Sequence, residues 1–236
     1  MDDQANLLPL YEQVRRAILA GIETGQFAEG SFLPPEPELM ARYDVSRITL
    51  RRAIGELCAD GRLQRQQGRG TIVMPGKVRQ TLVSLSGFSE TMDGLGRKAG
   101  HRILSCADNP DAPAIRARLQ AEALIRFDRL LEDDGRPMTL ETLWFDALRF
   151  PEVIEPVAAG GSFFAALREK AGIEPAHAER QIDVGLATAG ERAILCVSAT
   201  QPVYRIEKIV TDAQGRPLAL SQLVTPSHLV TYTIKT

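Results

Sequence analysis

Long apolar runs are missing from this chain. None approaches the roughly 20 residues that a membrane-spanning helix needs, so no transmembrane segment is expected. The opening residues, Met1-Asp2-Asp3-Gln4, are acidic and lack the basic and then apolar segments of a secretion signal, which points to a cytoplasmic protein. Histidine and cysteine are scarce. His101, His177 and His228 lie far apart, and Cys58, Cys106 and Cys196 are odd in number with no CxxC pair. A disulfide framework and a transition-metal site are therefore not expected, whereas a reducing compartment is. No Ser/His/Asp spacing, metal motif or phosphate-binding loop is visible, so the residues suggest neither an enzyme nor a bound cofactor.

What is present is length enough for two cores and an uneven distribution of charge. With 236 residues the chain is long for one domain and comfortable for two. The net charge of −2 looks wrong for a nucleic-acid binder. Between residues 42 and 79, however, the cations are Arg42, Arg47, Arg51, Arg52, Arg62, Arg65, Arg69, Lys77 and Arg79, against only Asp44, Glu56 and Asp60. A basic stretch embedded in an otherwise acidic chain is a local signal that the total hides.

That stretch has a readable organisation. Leu10, Val14, Ile18 and Ile22 recur every four residues, the stripe of an amphipathic helix ended by Gly25 and Gly30. A short second helix is expected over 36–43, burying Leu39 and Met40. Ser46 reads as the N-cap of a third, with Leu50, Ala53, Ile54 and Leu57 on one face and Arg47, Arg51 and Arg52 on the other. Two short strands, 63–66 and 71–74, flank the turn Gln67-Gly68-Arg69-Gly70. Pro75-Gly76 then opens a polar linker. Three helices and a two-stranded wing are a known way of offering a helix to DNA. Arg47, Thr49, Arg51 and Arg52 stand at its reading end, and Gln67, Gly68 and Arg69 at the wing tip. An arginine can bond a guanine through two donors, and glycine lets the backbone approach phosphate closely. For any single arginine the plainer alternative is a solvated surface residue.

Beyond residue 85 the period changes. Gly135-Arg136-Pro137-Met138-Thr139-Leu140-Glu141-Thr142-Leu143 and Gly215-Arg216-Pro217-Leu218-Ala219-Leu220-Ser221-Gln222-Leu223 resemble each other, each follows a strand-like run, and each has an acidic residue ahead of the turn. Two related β-hairpins with helices between them predict an α+β domain on an antiparallel sheet.

From Leu8 to Val73 the sequence resembles the DNA-binding domain of GntR-family regulators, through Leu33-Pro34, Glu36, Glu38-Leu39, Val45-Ser46-Arg47, Thr49-Leu50-Arg51, Gly61 and Gln67-Gly68-Arg69-Gly70-Thr71. Two positions depart from the pattern. Pro35 stands where a serine is usual, and Pro37 where relatives frequently carry a DNA-contacting arginine. The second half resembles the ligand-sensing UTRA domain of the HutC-like subfamily, whose fold is chorismate-lyase-like. The resemblance rests on Gly87-Phe88-Ser89-Glu90, Arg129, Glu141, Ser162-Phe163-Phe164 and the second Gly-Arg-Pro hairpin. It implies a winged helix-turn-helix at 8–75, a linker at 76–84 and an effector-sensing, dimerising domain at 85–236.

The same resemblance implies that Phe88, Ser89, Arg129, Glu141, Ser162 and Phe164 line an effector site. Hydroxyls and one arginine suit an anion, and a carboxylate suits a hydroxyl or amine. The alternatives stay open: Ser89 and Ser162 as helix caps, Arg129 paired with Asp128 or Glu141. Leu131, Phe164, Ala219 and Thr225 replace polar residues of relatives that sense sugar phosphates, which argues against an amino-sugar phosphate. The strings Thr49–Ile54 and Tyr232-Thr233-Ile234 look most like regulators of phosphonate use. The expected partners are operator DNA, a small effector and a second copy of the chain. The rival readings are a lyase-like enzyme fused to a DNA-binding module and an all-helical, metal-using effector domain.

Overall fold

The computed structural model describes residues 8–66, 68–74, 76–81 and 87–233. The chain divides into two compact units, Met1–Val78 and Arg79–Thr236. In the first, α1 (Leu10–Glu23), α2 (Glu36–Tyr43) and α3 (Arg47–Ala59) precede a hairpin of β1 (Leu63–Gln66) and β2 (Gly70–Val73). The four-residue stripe of α1 buries Val14, Ile18 and Ile22 against Leu50, Ala53, Ile54 and Leu57 of α3. Leu39, Leu63 and Val73 close this core. Gly21 allows the chain to double back: a Cβ there would stand 2.7 Å from the Phe27 ring. Pro35 precedes α2 without a side-chain cap, and Glu36 and Glu38 occupy its first turn, where the helix dipole favours acids. Asp44 takes a left-handed conformation (φ 50°) and turns the chain into α3.

The segment read as a linker contains a strand, β3 (Val78–Thr81), which pairs with β10 (Val230–Thr233). Pro75 and residues 82–86, within or beside that linker, lie outside the described residues. The second unit continues with α4 (Phe88–Asp93), β4 (Ala99–Asp108), α5 (Pro113–Leu119), β5 (Leu124–Asp133) and β6 (Arg136–Asp146). After these come α6 (Pro151–Ala158), α7 (Phe163–Ala166, running on as a π turn to Ala171), β7 (His177–Leu186), α8 (Ala189–Leu195), β8 (Pro202–Thr211) and β9 (Pro217–Pro226). Six of the strands form one antiparallel sheet in the order β4-β5-β6-β9-β8-β7.

The two Gly-Arg-Pro segments do start the second strands of two hairpins. In the first, Asp134 and Gly135 both have positive φ (49° and 77°), the requirement of a two-residue turn that matches sheet twist. In the second, the Asp212 carboxylate accepts from the backbone N–H of Gln214 (3.0 Å) and Arg216 (2.9 Å). The sheet is thus two copies of one pattern, strand–helix–hairpin, meeting at β6 and β9. Thr142 and Gln222, each seven residues beyond its turn glycine, are register partners there. The β6–β9 ladder runs only from Leu140–Val224 to Trp144–Leu220, while its neighbours run nearly the full length of their strands.

Because successive strand residues point to opposite faces, the sheet has two different surfaces. One carries Phe127, Leu143 and Phe145 under α6 and α7, with Phe150, Val153, Phe163 and Leu167 completing an apolar core. The other packs Leu124, Trp144 and Leu220 on Leu119 of α5. Beside that patch a polar row crosses all six strands in register: Ser105, Asp128, Thr142, Gln222, Glu207 and Gln181.

Candidate functional site

The first unit presents α3 by its N-terminal turn. Ser46 caps it, its Oγ accepting from the Thr49 N–H at 3.3 Å and lying 2.9 Å from the Thr49 hydroxyl. With Leu50, Ala53, Ile54 and Leu57 fixed inward, Arg47, Arg51 and Arg52 are exposed on the remaining arc. Arg51 Nε donates to both oxygens of Glu36, 3.0 Å each. The Arg52 guanidinium lies 3.6 Å from the Tyr11 ring centroid. Arg69, at the wing tip, stacks 5.6 Å over Phe32, between Gly68 (φ 73°) and Gly70 (φ 123°). Gln67 lies outside the described residues. Ile48, between Arg47 and Thr49, is 84% exposed. It had a sequence signal, an isoleucine off the buried stripe.

In the second unit a cavity of about 340 Å³ opens over the α6–α7 side of the sheet. Phe88, Arg129, Glu141, Ser162 and Phe164 all line it. Arg129 and Glu141 are register partners on β5 and β6, both about 95% buried, joined by a 2.7 Å bond from Nε to Oε2. This pair is interior, not a sheet-surface contact. Ser162 also caps α7, accepting from the Ala165 N–H at 3.4 Å. Ser89 is placed otherwise: its hydroxyl meets His101 Nε2 at 3.2 Å, behind the cavity wall. His101 Nδ1 faces the Gly161 carbonyl at 3.1 Å. A carbonyl only accepts, so Nδ1 carries the proton and Nε2 accepts from Ser89. Ser89 therefore orients His101, itself a cavity residue, and its proton is already committed. The loop that supplies the carbonyl needs glycine, because a Cβ on Gly160 would stand 2.7 Å from the His101 carbonyl oxygen.

Among the cavity groups not proposed from sequence as site residues are Lys208, Arg180 and Tyr232. The signal for the first was alternation: Ile206 and Val210 flank Lys208 on one side of β8, so an apolar strand face carries a lysine. Its Nζ lies 4.8 Å from the Phe164 ring centroid. Burial would raise the Glu141 carboxyl, but the Arg129 and Lys208 charges outweigh it and hold the group below its ordinary value. Burial pushes the Lys208 ammonium down to about 8; Glu141 opposes the shift while Arg180 and Arg129 add to it. Burial also raises the Tyr232 hydroxyl to about 12.

These shifts fix a pH dependence. Between about pH 8 and 10 the unfolded chain keeps the lysine proton that the folded domain has released, so stability rises with pH. Above 10, the ordinary tyrosine value, Tyr232 opposes the gain, because the unfolded hydroxyl ionises first. Urea midpoints of the C-terminal transition should therefore climb from about pH 8 to about pH 10. In Lys208→Met that climb should be absent.

A larger hollow of about 720 Å³ lies over the polar row of the opposite face. Most of its ionised groups are already paired there: Asp128 with Arg126, Glu207 with Arg118, Arg205 with Glu191.

A winged three-helix unit with a basic reading helix, followed by a sheet domain enclosing a charged cavity, defines a ligand-responsive DNA-binding regulator. The chain belongs to the gntR family of bacterial regulatory proteins, whose model matches residues 10–73, and it carries a UTRA domain at residues 94–230. It is 31% identical over 229 residues to the HTH-type transcriptional regulator YurK of Bacillus subtilis, covering 96% of this chain and 95% of that one. It is 30% identical over 227 residues to the probable fructoselysine utilization operon transcriptional repressor of Escherichia coli, covering 95% and 93%. The crystal structure of PhnF from Mycobacterium smegmatis superposes with a TM-score of 0.65 at 26% identity, covering 97% of this chain and 99% of that one. The protein is a transcriptional regulator of the HutC-like, UTRA-bearing branch, not an enzyme, and a small molecule modulates its DNA binding. Among the described residues no helix is long and apolar enough to cross a membrane.

Proposed function

We propose that the protein is a cytoplasmic homodimeric repressor whose operator is released when a small anionic metabolite fills the cavity of each subunit. Residues 8–75 read DNA, through Arg47, Thr49, Arg51, Arg52, Gln67, Gly68 and Arg69, and residues 85–236 sense and dimerise. A single recognition helix reads only a few base pairs, so specificity calls for two half-sites and two chains. Repression is favoured because the E. coli relative bears that name. The observation that carries the ligand reading is the cavity itself: Phe88, Arg129, Glu141, Ser162 and Phe164, far apart in sequence, line one space of about 340 Å³. Ser89 contributes through His101.

A ligand that favours a separation of the two DNA-reading heads different from the one DNA requires must weaken DNA binding by the amount of that preference, typically on the order of 1–3 kcal/mol. The test begins with sequencing DNA selected by the purified protein from a random pool. A symmetric site and a dimer by light scattering are expected. Gel shifts on that site with phosphates, phosphonates and carboxylates then seek the ligand that releases it. A non-symmetric site bound by a monomer would sink the dimer reading. Release that is unchanged by substitutions lining the cavity would sink the cavity reading.

A further inference from the structure

Ile48 is the most exposed large apolar side chain among the described residues, at 84% against 67% for Val184, the next. Local helix stability does not call for it. A β-branched residue is a weaker helix former than alanine, lysine or glutamate. The first turn of a helix favours acids, which Glu36 and Glu38 supply in α2, yet the first turn of α3 has none. It holds Arg47, Ile48 and Thr49 instead, a set with no negative charge for a phosphate backbone to repel.

Its neighbours leave Ile48 foremost. The Thr49 hydroxyl lies 2.9 Å from Ser46 Oγ and is drawn into the cap. Arg51 is held by Glu36 of α2, and Arg52 lies over the Tyr11 ring of α1. Ile48, Arg51 and Arg52, three and four residues apart, share one side of α3, opposite Leu50, Ile54 and Leu57. An apolar tip thus stands between Arg47 and Arg51, the two arginines assigned to guanine.

We infer that Ile48 reads the C5-methyl group of a thymine in each half-site of the operator. This rests on the reading of α3 as the recognition helix. In the major groove the thymine methyl is the apolar group on the base edges; the other groups there are hydrogen-bond donors and acceptors. Isoleucine can neither donate nor accept. Against any other base edge it would displace water from a polar group and leave that group unpaired. Beside thymine it covers a methyl instead. Ile48 and Arg51 are three residues apart, about 4.5 Å along the helix, against about 3.4 Å for one base-pair step. The thymine therefore stands within about two base pairs of the guanine that Arg51 reads. The arginines select guanine, and Ile48 selects the base pair beside it.

The test uses the full chain and the operator it selects from a random pool. Each thymine is replaced in turn by deoxyuridine, which lacks the C5-methyl and keeps the hydrogen-bonding groups of the base. One thymine near the guanine of each half-site should respond. Its replacement should weaken binding about fourfold in one half-site and about fifteenfold in both, the worth of about one buried methyl group at each. Ile48→Ser should bind the thymine and uracil operators alike. Its own selection should lose the thymine preference and keep the guanines. The side chain is exposed and serine suits a first turn, so the variant should keep its Tm. The inference is overturned if no thymine near that guanine responds, or if Ile48→Ser keeps the response. It also fails if Ile48→Ser loses the guanine preference, because the side chain would then be positioning the helix. In each of these cases α3 keeps its reading role so long as Arg51→Ala loses operator binding. If Ile48→Ser and Arg51→Ala both bind operator and random DNA as the wild type does, the reading of α3 fails as well.

Discussion

Operator binding should fall roughly ten- to a hundredfold when Arg51 is replaced by alanine, and by a similar factor for Arg47→Ala, with little change in folding. A bidentate arginine–guanine contact contributes about 1–3 kcal/mol, and each 1.4 kcal/mol is about a factor of ten. The fold should tolerate both changes. Arg47 and Arg51 are exposed, and the core of α3 is made by Leu50, Ala53, Ile54 and Leu57. Arg51 does hold Glu36 at 3.0 Å, but a pair this exposed contributes about 0–1 kcal/mol. Arg65 donates to the Arg51 backbone carbonyl, a bond that truncation leaves in place. If Arg51 reads DNA, it must first leave Glu36, whose carboxylate holds it in the free protein. Arg69→Ala, at the wing, should lose less sequence preference, and all of these affinities should fall steeply with salt. Binding titrations on the selected operator and on random DNA separate the terms. An Arg51→Ala protein that binds both sequences as the wild type does would remove α3 from the reading role.

The largest loss of stability should come from Glu141→Ala. That change strands Arg129, about 95% buried, near Lys208, and the remaining carboxylate of the cavity lining, Glu90, is paired with Arg168. Breaking a buried pair by removing one partner costs about 3–5 kcal/mol, or a fall of about 10 °C in the Tm of a domain this size. Arg129→Ala should cost less, because Glu141 retains the Lys208 charge nearby. The paired variant Arg129→Met/Glu141→Leu should recover most of the loss, since volume is kept and no charge is left alone. Thermal and urea unfolding of the four proteins separates the cost of a stranded charge from that of replacing the pair. Equal losses for the two single alanine variants and the paired variant would mean that packing, not charge, sets the effect.

Much of the architecture was legible because each element repeats a simple period. The α1 stripe, the Ser46 cap and the α3 core face are local features, set by neighbours three or four residues away. The paired hairpins were legible for the same reason, as turn chemistry written twice. What escaped was written across the sheet. β3 looked like linker because four polar-rich residues show no face of their own; the strand is completed by β10, some 150 residues on. Lys208 and Arg180 gained meaning only through register, which brings β8 and β7 to the cavity floor. Ser89 was read as a ligand donor, and no spacing in the sequence could show that its hydroxyl meets His101 of β4.

The short ladder between β6 and β9 makes the sheet mechanically uneven. Everywhere else, parting two strands means breaking a ladder nearly as long as the strands themselves; at this seam it means breaking only Leu140–Trp144 from Leu220–Val224. Two cavity cations stand beside it, Arg129 on one flank and Lys208 on the other. An object spanning the cavity floor is therefore a staple across the spine of an open book, fixing the angle between its covers.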